Sequence, residues 1–304
     1  MIRLPHGTAF ALCAWAASSP ARAGELVTMQ VQSTSPVVYE TPAPVTTEVN
    51  AFALEFGLPI QIAAGTYLLP GASYRLEAPR FVEPPADALP VPRLHEVDVS
   101  LALLQSVGER WTLMGQLAGG LAGDLIAVDR DVVRLSGFVL AKREMSETVR
   151  FGLGAAATWA FGQLLPLPLV ALDWHPSDRF ALVALLPATT TATWRPADRL
   201  RLGGFAEIVG NEYAIRLPQI AGGPDCTGPT RNPAECVDHL AYTDGNGGAF
   251  VGARLAGELW LDLRGGVSVY RRFEMLNADD EPVSFGEQRL PPAPFVKARL
   301  TYEY

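Results

Sequence analysis

The chain is poor in the residues that most enzymes work with: 3 cysteines and 4 histidines in 304 residues. It has no Gly-x-Ser-x-Gly elbow, phosphate-binding loop, dinucleotide fingerprint, metal-ligand array or His-x-Ser-Asn-Gly motif of the phospholipase kind. These absences leave nucleophilic, nucleotide-dependent and metal-dependent catalysis without a foothold, and no cofactor is expected. Long apolar runs are missing as well. Beyond the N-terminus no stretch reaches the roughly 18 consecutive apolar residues of a transmembrane helix. Positive charge is also scarce, with 24 Lys+Arg against 32 Asp+Glu, which argues against a nucleic-acid partner. Yet the mean hydropathy is positive. Apolar content without an apolar run fits a soluble β-rich core, or a transmembrane barrel with apolar residues at every second position.

The N-terminus carries Arg3 and His6, a short apolar run from Thr8 to Ala17, a Ser18-Ser19-Pro20 break and the small-residue pattern Ala21-Arg22-Ala23. That order predicts a signal peptide over 1–23, cut after Ala23. Leu12 before Cys13 spoils a lipoprotein box. Removing Arg3 and Arg22 leaves 22 basic against 32 acidic residues, a net charge of −10 (22 − 32). Cys226 and Cys236 remain, in a Gly- and Pro-rich segment that suits neither helix nor strand. In an oxidising exported setting they are expected to form one disulfide, contributing roughly 2–3 kcal/mol by closing a small loop. Residues 24–48, rich in Ser, Thr, Pro and Val without a steady period, read as a periplasmic lead-in, and 49–304 as the folded body.

From Val49 onward the pattern alternates. Phe52, Leu54, Phe56, Leu58, Ile60 and Ile62 share one face, and Glu55 lies on the other. Val97, Val99, Leu101 and Leu103 oppose Glu96 and Asp98. From Val149 to Phe161 one parity holds for 13 residues, longer than most soluble strands. Trp174-His-Pro-Ser-Asp-Arg179 recurs 20 residues later as Trp194-Arg-Pro-Ala-Asp-Arg199. Pro-x-Asp-Arg is turn chemistry, so each copy marks a strand end, a turn and a strand start. Phe180 to Trp194 stay in phase, which favours one long strand with Pro187 at a bulge and a total of 12 strands, an even number as closed bacterial barrels require. Pro187 itself argues for the competing reading, two short strands joined at Leu186-Pro187-Ala188-Thr189 and 13 in all. Arg264-Gly265-Gly266 reads as a turn. Residues 217–248 read as the longest loop and Asn277–Pro294 as a polar loop. The Asp244-Gly-Asn-Gly-Gly248 stretch lacks the downstream Glu of a calcium loop and reads as a flexible turn.

The polar faces carry Glu55, Asp98, Arg134, Arg201, Glu207, Arg254, Glu258, Arg272 and Arg299. Facing lipid, each Arg or Lys at mid-bilayer would cost about 2–4 kcal/mol, so these residues are expected to line a lumen and pair across it. Trp111, Trp159, Trp174, Trp194, Tyr302 and Tyr304 suit membrane interfaces, where an amphipathic ring sits at headgroup level. His239, beside Asp238, is the one histidine with acid–base context.

Val296 to Tyr304 place Val296, Ala298, Leu300, Tyr302 and Tyr304 on one face and Lys297, Arg299, Thr301 and Glu303 on the other. This segment resembles the closing strand of bacterial outer-membrane β-barrels, whose aromatic end the barrel-insertion machinery reads. With Leu182-Val-Ala-Leu-Leu-Pro187, Trp194, Leu202-Gly-Gly and Asn211-Glu-Tyr213, the chain looks like an uncharacterised family of such barrels. The resemblance implies an all-β, antiparallel transmembrane barrel in a Gram-negative outer membrane. Its expected partners are membrane lipids and, during biogenesis, the assembly machinery; its expected state is a monomer. A periplasmic C-terminus would put 276–294 and 217–248 outside and 264–266 inside. The expected role is a structural or passive barrel with a salt-bridged lumen and no enzymatic activity. The alternatives are a narrow solute or hydrophobe channel, a rim hydrolase using His239, and a soluble periplasmic ligand-binding barrel.

Overall fold

The computed structural model describes residues 25–35, 37–39, 45–81, 93–160, 163–216, 226, 236–279 and 281–303. The expected signal peptide and Tyr304 lie outside them. The strands are β1 (Glu25–Thr34), β2 (Val37–Tyr39), β3 (Val45–Gly57), β4 (Ile60–Ala63), β5 (Thr66–Phe81), β6 (Leu94–Val107), β7 (Trp111–Gly123), β8 (Val133–Ser146), β9 (Val149–Ala160), β10 (Gln163–Ser177), β11 (Phe180–Leu186), β12 (Thr189–Ala197), β13 (Leu200–Ala214), β14 (His239–Ala256), β15 (Leu259–Leu276), β16 (Pro282–Leu290) and β17 (Ala293–Glu303). Fourteen of them form a closed antiparallel barrel, with β17 against β1 completing the ring. The short strands β2, β4 and β16 flank it, paired to β3, β5 and β15. No described helix is long and apolar enough to cross a membrane.

The two ends of the barrel differ. At one end lie Glu25, Glu303 and tight turns such as Gly108–Arg110, Asp178–Arg179, Asp198–Arg199 and Gly257–Glu258. At the other lie the long connections after β5, β7, β13 and β15. Outward-facing side chains form an apolar belt: Val99 is 65% exposed, Leu117 75%, Val139 65%, Val269 66% and Val296 64%. Trp111, Trp174, Trp194 and Tyr302 point outward near the terminal end, and Trp159 sits near the loop end. Burying a charge in this belt is costly. Tyr302→Asp is therefore expected to lower the yield of folded barrel sharply, seen as loss of the band that migrates faster without boiling; an unchanged folded band would contradict this.

The wall has two more strands than the sequence suggested. The first is β1, in the segment expected to be a lead-in. Its ladder runs to β17 from Glu25↔Glu303 to Thr34↔Phe295, and to β3. Val27, Met29 and Val31 face out, opposite Thr28, Gln30 and Gln32. That alternation is short and its inner face is uncharged, so it is faint in sequence. The second comes from 180–194, which is a hairpin and not one strand. Leu185 pairs with Thr189 and Phe180 with Trp194. Pairing like parity with like parity preserves phase through the turn, so unbroken phase could not tell a strand from a hairpin.

Gly265 and Gly266 are not a turn. They lie within β15 opposite Ala249 and Gly248, and a Cβ on Gly248 would stand 2.2 Å from the Gly265 carbonyl oxygen. The real turn is at Gly257, whose φ of +51° suits glycine. Two expected loops also contain strand: β14 begins at His239, so Asp244–Gly248 are extended, and β16 occupies 282–290.

Candidate functional site

The lumen is crossed by buried ion pairs from widely separated strands. Arg134 on β8 donates to Asp98 at 3.0 Å, to Glu96, and to Asn211 Oδ1 at 2.5 Å, while Asn211 Nδ2 donates to Glu96 Oε2 at 2.6 Å. Asn211 belongs to β13, six strands round the ring from β7, so this cluster ties opposite walls together. Arg201 pairs with Asp262 at 2.7 Å and Glu303 at 2.6 Å and stacks on Trp260, 4.4 Å from the ring centre. Lys297 binds Glu207 at 2.6 Å, and Lys142 binds Asp173 at 3.0 Å. Arg264 sits 5.2 Å from the Phe205 ring and 5.4 Å from that of Phe250. Glu55 and Arg299 are half-buried on the inward parity.

Two expected lumen charges, Glu258 and Arg272, sit elsewhere. Glu258 is exposed at the Gly257 turn, where it pairs with Arg254, which keeps the inward parity at the rim opposite the buried Trp260. Arg272 loses its inward place to Arg271. The ladder slips between Gly245 and Asn246, so Val269 and Tyr270 both face out and parity reverses. Arg271 is 2% exposed, opposite Asp244 at 3.7 Å, while Arg272 pairs with Glu274 at 2.5 Å. Asp244 also accepts from Tyr242 at 2.7 Å and from Ser268. Arg75, Glu77, Lys142 and Asp173 are lumen residues that the sequence did not single out, and Asp244, expected in a flexible turn, is another. Lys142 shares parity with Arg134 along β8 and was there to be found. Asp173 was masked by the Pro166 and Pro168 that interrupt its strand pattern. A cavity of about 30 Å³, lined by Gln30, Gln32, Arg75, Glu77, Asp244 and Lys297 among others, has room for about one water.

At the loop end part of the barrel's own wall leans across the lumen. Past Glu207, β13 leaves β12 and leans inward until Ala214 pairs in parallel with Gly123 of β7. Tyr213, Ile215, Leu240 and Tyr242 pack on Leu94 and Ala122. Beyond this contact Arg216 fastens the tip. Its backbone N–H donates to Asp124 at 2.7 Å, and its guanidinium reaches Asp129 at 2.7 Å, Asp131 at 3.0 Å and Asp238 at 3.1 Å. The hydrogen bond from Arg216 holds the Asp129 carboxyl below its ordinary value of 3.8. A hydrogen bond from His239, then the Arg216 charge, does the same for Asp238. Depressed carboxyl values stabilise the latch above the ordinary value, and that stabilisation is lost as pH falls through the bound-state values. The mouth is expected to loosen below about pH 4, read as faster protease cleavage of the 215–238 connection; constant cleavage down to pH 3 would count against the latch.

His239 is 1% exposed, 3.0 Å from Glu212 and 3.4 Å from Asp238. A histidine enclosed by two carboxylates presents no face to a substrate. Cys226 and Cys236 are joined, with Cα atoms 5.8 Å apart. The intact chain is expected to be two hydrogens lighter in non-reducing than in reducing mass analysis; two free thiols would refute the bond. Among the described residues no group of three His, Cys, Asp or Glu side chains is placed to hold a metal.

A family model described as "Domain of unknown function (DUF6268)" matches residues 85–303. Among solved structures, a deltaS2 mutant of the TodX monoaromatic hydrocarbon channel aligns over 95% of this chain and 92% of its own, with 8% identity and a TM-score of 0.51. An outer membrane channel from Pseudomonas putida F1 aligns over 95% and 98%, with 10% identity and a TM-score of 0.45. At 8% identity the first likeness is one of fold. No curated protein matches the chain.

Proposed function

The chain belongs to the DUF6268 family, and from that premise we propose that it is an outer-membrane channel held shut by its own wall. The supporting observation is the inward tip of β13–β14, latched across a barrel of fourteen strands. Eight strands leave an interior that wall side chains alone can fill, whereas wider barrels enclose a channel or need a plug. Here the plug is a bent piece of wall, fixed largely by hydrogen bonds and ion pairs that can be exchanged for water. Short turns beside Glu25 and Glu303 and longer connections opposite match the periplasmic and extracellular ends of outer-membrane barrels. The apolar belt would meet lipid, and the Arg216 latch would face outward from the cell.

Catalysis has little support: the one acid–base candidate, His239, is sealed. A purely structural barrel is the second reading, favoured by the density of buried pairs. Planar-bilayer recording separates the two. Brief, small openings that become frequent when the latch is cut support the channel; silence from wild type and latch variants alike would overturn it.

A further inference from the structure

The wall itself is incomplete on one side. On β10, Val170 to Ser177 pair with β11, but Gln163 to Leu169 pair with β9 alone among the described strands. Across the gap, β12 follows β13 only as far as Glu207, and Ala188 accepts the last bond, from the Ile208 N–H at 2.8 Å. The cause is the β11–β12 hairpin. Strand β11 has 7 residues, whereas a membrane-crossing strand needs about 9–11. Leu186 at its tip is 49% exposed, and Leu164, further toward the loop end on β10, is 67% exposed. The apolar belt thus continues past the tip, and the notch lies at the depth of lipid tails.

The sequence is fitted to this gap. His175 donates its backbone N–H to Thr148, and the β9–β10 register runs unbroken from Trp174↔Val149 to Gln163↔Ala160. Odd-numbered residues of β10 therefore turn their N–H groups to β9, and even-numbered ones to the notch. Both prolines, Pro166 and Pro168, are even. They remove donors on an edge that has no strand partner among the described residues, where a bare N–H in lipid would cost several kcal/mol. On the opposite lip the Glu212 N–H is satisfied by its neighbour Asn211 at 2.9 Å, and the Ala214 carbonyl by Asp124 at 3.0 Å. Behind the notch the inner wall is apolar, with Leu167, Leu169, Leu185, Phe138 and Leu140 packed together.

We propose that this notch is a lateral portal through which one uncharged hydrocarbon chain passes between the outer leaflet and the apolar inner wall. The proposal rests on the channel reading and adds the class of solute and its route. Prolines on the free edge, apolar side chains on the β10 and hairpin lips and an apolar wall directly behind them are what such a chain requires, and the one charged residue named on the far lip, Glu212, is paired with His239 at 3.0 Å.

The test places an environment-sensitive fluorophore on Leu167→Cys, or separately Ala188→Cys, in the folded full chain in vesicles. Leu164→Cys serves as the lipid-facing reference and Thr28→Cys, on the inner face under continuous ladders, as the sealed one. One arm carries nitroxide on the lipid acyl chains and the other adds a free nitroxide-labelled alkane. Quenching at Leu167 or Ala188 that is several-fold that at Thr28 and at least half that at Leu164 is expected in at least one arm. The first arm identifies lipid tails as the occupant and the second a free hydrophobic solute. Quenching no greater than at Thr28 in both arms, at both sites, would overturn the portal. Current in planar bilayers without quenching would sink the portal and spare the axial channel; quenching without current would do the reverse.

Discussion

Arg216→Ala combined with Asn211→Ala is expected to turn a nearly silent barrel into a conducting one, with open probability at least tenfold higher in planar bilayers. The magnitude follows from the contacts removed. Arg216 joins the β13–β14 connection to Asp129 and Asp131 of the β7–β8 connection and braces it internally through Asp238, and Asn211 joins β13 to both Glu96 and Arg134. A hydrogen bond to a charged group contributes about 1.5–3 kcal/mol. One such bond, even at the lower value, changes an opening equilibrium by about a factor of ten at about 1.4 kcal/mol per decade. The apolar contacts of Tyr213 and Ile215 remain, so the tip should flicker and not swing away for good. A variant that folds, by its unboiled migration, and conducts no more than wild type would show that the tip does not control passage.

Arg134→Ala should have the largest effect on stability. The guanidinium serves Glu96, Asp98 and Asn211 together, and all of these are largely buried. Taking away one member of a buried charge cluster leaves its partners uncompensated, at a cost of about 3–5 kcal/mol. The expected readout is a marked fall in the urea concentration at which the barrel folds into vesicles. Replacing Arg134, Glu96 and Asp98 together by Leu should recover much of the loss, because no orphaned charge would remain. If Arg134→Ala folded at the wild-type midpoint, the cross-lumen cluster would be irrelevant to holding the barrel.

The wall was largely legible in the sequence because a barrel writes its two faces in alternate residues. The strand around Val149–Ala160 and the one ending at Glu303 are plain in print, and so is the inward parity of Asp98, Arg134, Arg201 and Glu207. What escaped was what alternation does not encode. A hairpin whose partners share parity looks like one strand, as 180–194 does. A glycine pair looks like a turn even where it lies flat against another pair, as Gly265-Gly266 does on β14. A slipped register exchanges Arg271 for Arg272 without changing composition. The bend of β13 was least legible: Asn211, Tyr213 and Ala214 alternate like any wall residues, and only their contacts with β6, β7 and β8 show that the strand has left the wall.

The central claim, that the loop end of β13 lies across the lumen against β7, can be measured directly by cross-linking Ala122→Cys to Tyr213→Cys. If β13 stood upright in the wall, strands nearly opposite in a ring of this size would hold these positions ~25 Å apart. With the tip across the mouth, they neighbour the Ala214–Gly123 pairing and share one buried cluster, the proximity that a disulfide's Cα range of ~4.4–6.8 Å requires. A disulfide forming in the folded, heat-modifiable barrel, with altered migration after boiling without reductant, is the predicted result. Two thiols that stay free under mild oxidation in a barrel of wild-type fold would contradict the account.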